Sequence, residues 1–163
     1  MRSQTTNHEE IRRLALSGLV IALYVVVMYL TQSFAFGQYQ IRLATALYSL
    51  SYIYPFLVVP LALSNFLSNT LLGGLGFPDM IGGFIVGLLT AGSVYLIRKF
   101  NWNIWLVALP ILLFPGLLVP VWLSWLLGIS YWVLMPTVLV GQIIPALIGA
   151  LLIKKLKKVL PKI

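Results

Sequence analysis

The stretch WNIWLVALPILLFPGLLVPVWLSWLLGISYWVLMPTVLVGQIIPALIGALLI, residues 102–153, carries no charged side chain. A membrane-spanning helix needs about 20 mostly apolar residues, because each residue advances the helix by about 1.5 Å. The stretch is long enough for two such helices, separated by the turn Gly128-Ile129-Ser130. It therefore predicts an all-α integral membrane protein.

The rest of the chain is also poor in charge. Residues 14–97 contain only two charged side chains, Arg42 and Asp79. Of the 163 residues, 61% are hydrophobic and 9% are charged, and the mean hydropathy is +1.02. A soluble domain of this size would expose far more polar surface. We therefore expect a single membrane domain over residues 1–163, multi-pass in the cell membrane and in contact with lipid.

The apolar segments and the turns between them predict a six-helix transmembrane bundle. Tyr54-Pro55 divides one apolar segment into a short span and a longer one, because the residue before a proline disfavours helix. Gly73 to Pro78 forms a turn. The predicted spans are residues 11–31, 43–53, 55–72, 79–97, 103–127 and 131–153.

Basic residues cluster at three places along the chain: Arg12-Arg13, Arg98-Lys99 and the C-terminal lysines from Lys154. Such clusters mark the cytoplasmic side of a membrane protein. Six spans with both termini in the cytoplasm satisfy all three placements. The same count places Arg42 and Asp79 together at the outer side. The net charge of +8 accompanies no nucleic-acid-binding motif, so we expect no nucleic-acid partner.

Arg42 and Asp79 are the first candidates for a binding site, since ionisable residues inside a membrane segment are costly and usually functional. A pocket open to the outside would use Arg42 as a donor and Asp79 as an acceptor. The alternatives are a structural ion pair, or Arg42 extending to lipid headgroups while Asp79 caps a helix.

The loop before Arg42 is rich in aromatic rings and amides, among them Phe36, Gln38, Tyr39 and Gln40. Rings to stack on and amides for its edges suit a flat heterocycle. An interfacial aromatic belt explains the rings equally well.

Three amides lie inside predicted spans: Asn65, Asn69 and Gln142. They line a cavity or join helices by hydrogen bonds, and Asn69 is favoured for the site because it lies at the outer end of its span. Trp122, Trp125, Tyr131 and Trp132 flank the outer turn, where most are expected to form the belt.

Stripes of small residues occur on three spans and permit close helix approach. Those on the fourth and sixth spans suit packing within the chain or docking of another subunit. For the stripe on the first span, Ala15, Gly18 and Ala22, we favour docking of a membrane partner.

Several function classes are excluded or disfavoured by residue types. The chain has no Cys, so it has no disulfide or thiolate chemistry. It has no phosphate-binding G-x-x-x-x-G-K-[ST] loop. One histidine, His8, and three acidic residues do not make a metal cluster or a catalytic set. We expect neither enzymatic activity nor a cofactor.

The segment Phe36-Gly37-Gln38-Tyr39-Gln40-Ile41-Arg42-Leu43-Ala44-Thr45-Ala46-Leu47 resembles the FG-x-x-Q-x-R-x-S-E-A-L signature of the QueT-type queuosine-precursor transporters. Tyr54-Pro55, Asn69 and the D-x-x-x-G segment from Asp79 continue the similarity. These proteins are the substrate-binding (S) subunits of energy-coupling-factor (ECF) transporters.

The resemblance implies a six-helix bundle that captures a 7-deazaguanine precursor near its outer face. It implies as partners a transmembrane coupling subunit, which in this family contacts an Ala-x-x-x-Ala element similar to Gly18-x-x-x-Ala22, and two cytoplasmic ATPases. The substrate-binding residues that this comparison and the patterns above indicate are Arg42, Asp79, Asn69, Thr45, Gln40, Gln38, Tyr39 and Phe36.

One position departs from the family pattern: the Glu of S-E-A-L is Thr45 here, and its Ser is Ala44. A carboxylate suits the N–H edge of a guanine-like base better than a neutral hydroxyl does. Either Asp79 replaces the missing carboxylate, or the ligand differs. The alternatives from other classes are a non-transporting scaffold subunit and a solitary transporter or channel.

Overall fold

The computed structural model describes residues 2–73 and 75–159, with side chains described from residue 8 onward. All secondary structure in these residues is helical. The α-helices are α1 (Arg2–Leu30), α2 (Gln32–Ala35), α3 (Val58–Ser68), α4 (Phe77–Lys99), α5 (Ala108–Leu127) and α6 (Tyr131–Val159). Shorter helical segments are Leu43–Tyr52, Pro55–Leu57 and Ile104–Val107, all 3₁₀, and the π turn Asn69–Gly73.

Five helical segments in the described part of the chain are long and apolar enough to cross a membrane. They are His8–Leu30, Pro55–Gly73, Phe77–Lys99, Ile104–Leu127 and Tyr131–Val159. They agree with five of the predicted spans, although α1 and α6 continue beyond them into the charged ends of the chain. The chain is therefore an all-α, multi-pass membrane protein.

The remaining predicted span, residues 43–53, is a ten-residue 3₁₀ helix over Leu43–Tyr52. This helix lies at the centre of the bundle and contacts all five long helices. Its length is unusual, since 3₁₀ helices seldom exceed four residues. Its N-terminal neighbour Arg42 contacts Asn69, whereas at its other end the carbonyl of Ile53 accepts a hydrogen bond from Arg98. The segment thus connects the two ends of the bundle.

The small-residue stripes divide into two kinds. On α4, Gly83, Gly87 and Ala91 are buried, and a Cβ added to Gly87 would lie 2.8 Å from the Cα of Ala62. The stripe on α6, formed by Gly141, Pro145 and Gly149, is also buried within the chain. Both therefore serve internal packing. The stripe on α1 is exposed, and a Cβ on Gly18 would meet nothing within 4 Å.

Candidate functional site

Arg42 lies inside the bundle at the end of the loop that precedes the 3₁₀ helix, and only 3% of it is exposed. Its Nη1 donates hydrogen bonds to Oδ1 of Asn69 at 3.0 Å and to Oδ1 of Asn65 at 3.3 Å. The guanidinium carbon lies 5.0 Å from the centre of the Phe36 ring. The other nitrogens, Nε and Nη2, are buried and have no partner among the described residues. One edge of a charged fork is therefore held by the protein and the other edge is free.

Asp79 lies in the first turn of α4 and is 1% exposed. Its Oδ1 accepts a hydrogen bond of 3.0 Å from the indole Nε1 of Trp122, on α5. Its Oδ2 is buried and has no hydrogen-bond partner in the part of the chain that the structure describes. The N-terminus of α4 has no side-chain cap, so the carboxylate does not serve as one. Asp79 therefore holds one free acceptor inside the protein.

Arg42 and Asp79 do not neutralise each other. Among the described residues the only ion pair joins Arg13 to Glu9, at 4.0 Å. Asn69 stands between the two site charges: its Oδ1 accepts from Arg42, and its Nδ2 donates to the backbone oxygen of Asp79 at 2.9 Å. Burying an unpaired charge is strongly unfavourable. Both charged side chains are therefore buried, and each keeps a hydrogen-bonding group that the described residues leave without a partner.

Gly73 marks the point where these groups converge. A Cβ on Gly73 would lie 3.1 Å from the free Oδ2 of Asp79, 3.3 Å from Cε1 of Phe36 and 3.6 Å from Cβ of Asn69. Gly73 ends the π turn that follows α3, and such turns occur often at functional sites. The structure therefore brings together four of the predicted site residues, Arg42, Asp79, Asn69 and Phe36.

Gln40 and Thr45 lie beside this group and are joined to α6 by Gln142. The Nε2 of Gln142 donates to the backbone oxygen of Gln40 at 2.8 Å. The hydroxyl of Thr45 is 3.0 Å from Oε1 of Gln142 and 2.7 Å from the backbone oxygen of Arg42. A hydroxyl has one proton, so Thr45 donates to one of these two oxygens at a time, and both belong to the chain itself. Oε1 of Gln40 is buried and unpartnered, which leaves a second free acceptor.

Gln38 and Tyr39 are not brought into this group. Both are exposed, Tyr39 to 49%. They remain predicted contacts, in the part of the loop that faces outward.

Three polar side chains that the sequence did not assign to the site take part in it. Asn65 and Gln142, for which the sequence left two roles open, both hydrogen-bond to residues of the group. Trp122, expected in the aromatic belt, instead holds Asp79. No sequence pattern indicated this contact; in the structure the absence of a side chain at Gly82 makes room for the indole, since a Cβ there would lie 2.8 Å from the Trp122 ring.

A chain of buried hydrogen bonds leads from the site to α1. Nδ2 of Asn65, which binds Arg42 through its oxygen, donates to the hydroxyl of Tyr48 at 2.7 Å. The hydroxyls of Tyr48 and Tyr24 are 3.3 Å apart, and Tyr24, on α1, is fully buried. The exposed Ala15, Gly18 and Ala22 lie on a different face of the same helix.

The unpartnered groups of Arg42 and Asp79 are two donor nitrogens on a cation and one carboxylate oxygen, and Gln40, two residues before Arg42, carries a buried, unpartnered amide oxygen. They can bind a polar, planar solute from several sides, with Phe36 beside the guanidinium. The described residues include no group of three His, Asp or Glu side chains able to hold a metal ion.

Comparison with known proteins agrees with this chemistry. Neither the curated proteins nor the solved structures contain a significant match to the chain. Residues 14–158 match the family model described as "QueT transporter", a match that includes every residue of the site. The chain therefore belongs to the QueT transporter family and is a multi-pass membrane protein.

Proposed function

We propose that this protein is the substrate-binding subunit of an ECF transporter and captures a 7-deazaguanine-type precursor of queuosine, or a related vitamin-like heterocycle, for uptake. The observation that carries the proposal is the pair of buried charges, Arg42 and Asp79, each with a free hydrogen-bonding edge and neither paired with the other. A structural ion pair, as expected in a scaffold subunit, would bring the two side chains together.

The ligand class follows from the free groups. A 7-deazaguanine ring carries a carbonyl oxygen, which suits the N–H edge of Arg42, and N–H groups, which suit the free oxygens of Asp79 and Gln40. Its flat face suits the Phe36 ring. One bicyclic base could therefore accept hydrogen bonds from Arg42 and donate hydrogen bonds to Asp79 and Gln40.

We also propose six membrane crossings with both termini in the cytoplasm. The crossing added to the five long helices is the 3₁₀ helix Leu43–Tyr52, which comes second in chain order. Ten residues at about 2.0 Å each give about 20 Å, or two thirds of a hydrocarbon core of about 30 Å. The positions of the basic clusters support this count. Arg12, Arg13 and Arg98 line one cavity, and Lys154 lines another together with Asn101, which follows α4. All three clusters therefore lie at the end of the bundle opposite Arg42.

The proposed partners are a transmembrane coupling subunit and two cytoplasmic ATPases. The exposed stripe of Ala15, Gly18 and Ala22 supports docking of the coupling subunit on α1, because small residues let a second helix approach closely. The small residues of the α4 and α6 stripes are buried by packing within the chain. Of the three stripes, the one on α1 is exposed and accessible to another subunit.

The test is direct binding by the purified chain. The protein is isolated in mild detergent, any small molecule that accompanies it is identified by mass spectrometry, and 7-deazaguanine is titrated by calorimetry. We expect saturable binding that Arg42→Ala abolishes while the protein remains folded. Uptake into cells should require the coupling subunit and ATPases. Binding without any ATPase requirement for transport would indicate a solitary transporter, and a charge-swapped pair at 42 and 79 that restores stability in a non-binding protein would indicate a scaffold.

A further inference from the structure

Thr45 does not offer a free acceptor, because its hydroxyl lies 2.7 Å from the backbone oxygen of Arg42 and 3.0 Å from Oε1 of Gln142. A guanine-type base nevertheless presents adjacent N–H donors, N1–H and the 2-amino group, which need acceptors once they leave water. The free carboxylate oxygen of the described site is Oδ2 of Asp79.

We infer that Asp79, oriented by Trp122, selects the base by accepting a hydrogen bond from its 2-amino edge, and that Trp122 is the positioning residue for this selection. The inference rests on the proposed function and names the residues that choose the substrate.

The two carboxylate oxygens of Asp79 have different surroundings, and this difference supports the inference: Oδ1 accepts a hydrogen bond from Trp122, and Oδ2 has no partner in the described residues. Trp122 can only donate through Nε1, and it does so to Oδ1 at 3.0 Å. This bond leaves Oδ2 directed to the point near Gly73 and Phe36 where the site groups converge. Absence of a side chain at Gly82 gives the indole its place, since a Cβ there would be 2.8 Å from the ring. The acceptor is therefore held in one orientation before a ligand arrives.

The same geometry predicts what an amide does at this position. In Asp79→Asn the Trp122 N–H still requires an acceptor, so the amide oxygen takes the place of Oδ1. The amide NH₂ must then occupy the place of Oδ2 and present donors to the ligand. The 2-amino group of a guanine-type base would then face another donor and form no hydrogen bond there. The 2-oxo group of a xanthine-type base would accept a hydrogen bond from the amide NH₂. Asp79→Asn should therefore exchange the preferred base.

The experiment measures the affinities of 7-deazaguanine and 7-deazaxanthine by calorimetry for four forms of the full-length protein. We expect the wild type to prefer 7-deazaguanine by about tenfold or more, and Asp79→Asn to move the ratio toward 7-deazaxanthine by at least the same factor. Trp122→Phe should reduce the wild-type preference, and Trp125→Phe should leave it unchanged, because Trp125 is 75% exposed.

The outcomes separate the inference from the function on which it rests. If the wild type binds 7-deazaguanine but Asp79→Asn weakens both ligands equally, the inference is overturned and the proposed function stands. If the wild type binds neither base, both are overturned. Where Asp79→Asn does not fold, the Trp122→Phe protein decides: a preference equal to that of Trp125→Phe overturns the inference, and a reduced preference supports it.

Discussion

Replacing Arg42 by lysine separates the shape of the cation from its charge. The guanidinium binds the protein through Nη1 and keeps Nε and Nη2 free. A lysine retains the positive charge and can still donate to Asn69 or Asn65. It lacks the second, planar edge that could bind a ligand carbonyl in fork geometry.

The size of the effect follows from the number of donors lost. A hydrogen bond to a charged group contributes about 1.5–3 kcal/mol, and lysine loses one such bond to the ligand if a single donor is recovered. Since about 1.4 kcal/mol is tenfold in affinity, the dissociation constant for 7-deazaguanine should rise about ten- to hundredfold. The protein should remain folded, because the buried amides keep a cationic partner.

The assay is calorimetric titration of 7-deazaguanine into protein in lipid nanodiscs, together with a thermal unfolding scan of each variant. Arg98→Lys is the matched control, since Arg98 is a half-buried arginine at the opposite end of the bundle that donates to the Ile53 carbonyl. Its affinity should equal that of the wild type. An Arg42→Lys protein that binds within about twofold of the wild type, or an equal loss in both variants, would refute the assignment of the free edge to the ligand.

Three further predictions concern the bundle. Gly18→Leu should prevent copurification with the coupling subunit and leave ligand affinity unchanged, whereas Gly92→Leu, at another position with open space, should leave both copurification and affinity unchanged; a pull-down and a titration check both. Gly87→Ala should cost about 1–3 kcal/mol of stability through overpacking, against no loss for Gly92→Ala, and equal melting temperatures would contradict the proposed helix contact. Tyr48→Phe should destabilise the protein by about 1–3 kcal/mol, because it strips the buried Asn65 amide of its acceptor, and by more than Tyr24→Phe does; denaturation of both variants tests the order.

Much of the architecture could be predicted because its signals are local. Long uncharged segments define the five spanning helices, and Gly and Pro around residues 73–78 and Gly128 define the turns. The shared location of Arg42 and Asp79 followed from counting spans and placing basic clusters. Local patterns therefore predicted the five long spanning helices correctly, whereas the six-span count and the site residues stay predictions.

The 3₁₀ form of Leu43–Tyr52 could not be predicted in this way. Composition shows that the segment is apolar, and Pro55 shows where it stops. The choice between i+3 and i+4 hydrogen bonds depends on packing, here against five helices at once. Local preference is overridden in such a position.

The role of Trp122 was hidden for a related reason. Helix α5 is almost uniformly apolar, so periodicity does not distinguish its inward face from its lipid face. A tryptophan near the end of such a helix fits the membrane interface by default. Only the position of the Asp79 carboxylate, on another helix, reveals what the indole binds.

The polar contacts between α3 and α4 have a further consequence for assembly. Asn65 and Asn69 lie against Gly83, where a Cβ would be 3.0 Å from the oxygen of Asn65 and 2.5 Å from the nitrogen of Asn69. Sliding one helix past the other by a turn, about 5.4 Å, would separate Nδ2 of Asn69 from its present acceptor, the backbone oxygen of Asp79 at 2.9 Å. Hydrocarbon supplies no substitute. The polar contacts therefore favour one longitudinal alignment of the two helices. A newly inserted copy must adopt this alignment before Asn65 and Asn69 can accept hydrogen bonds from Arg42.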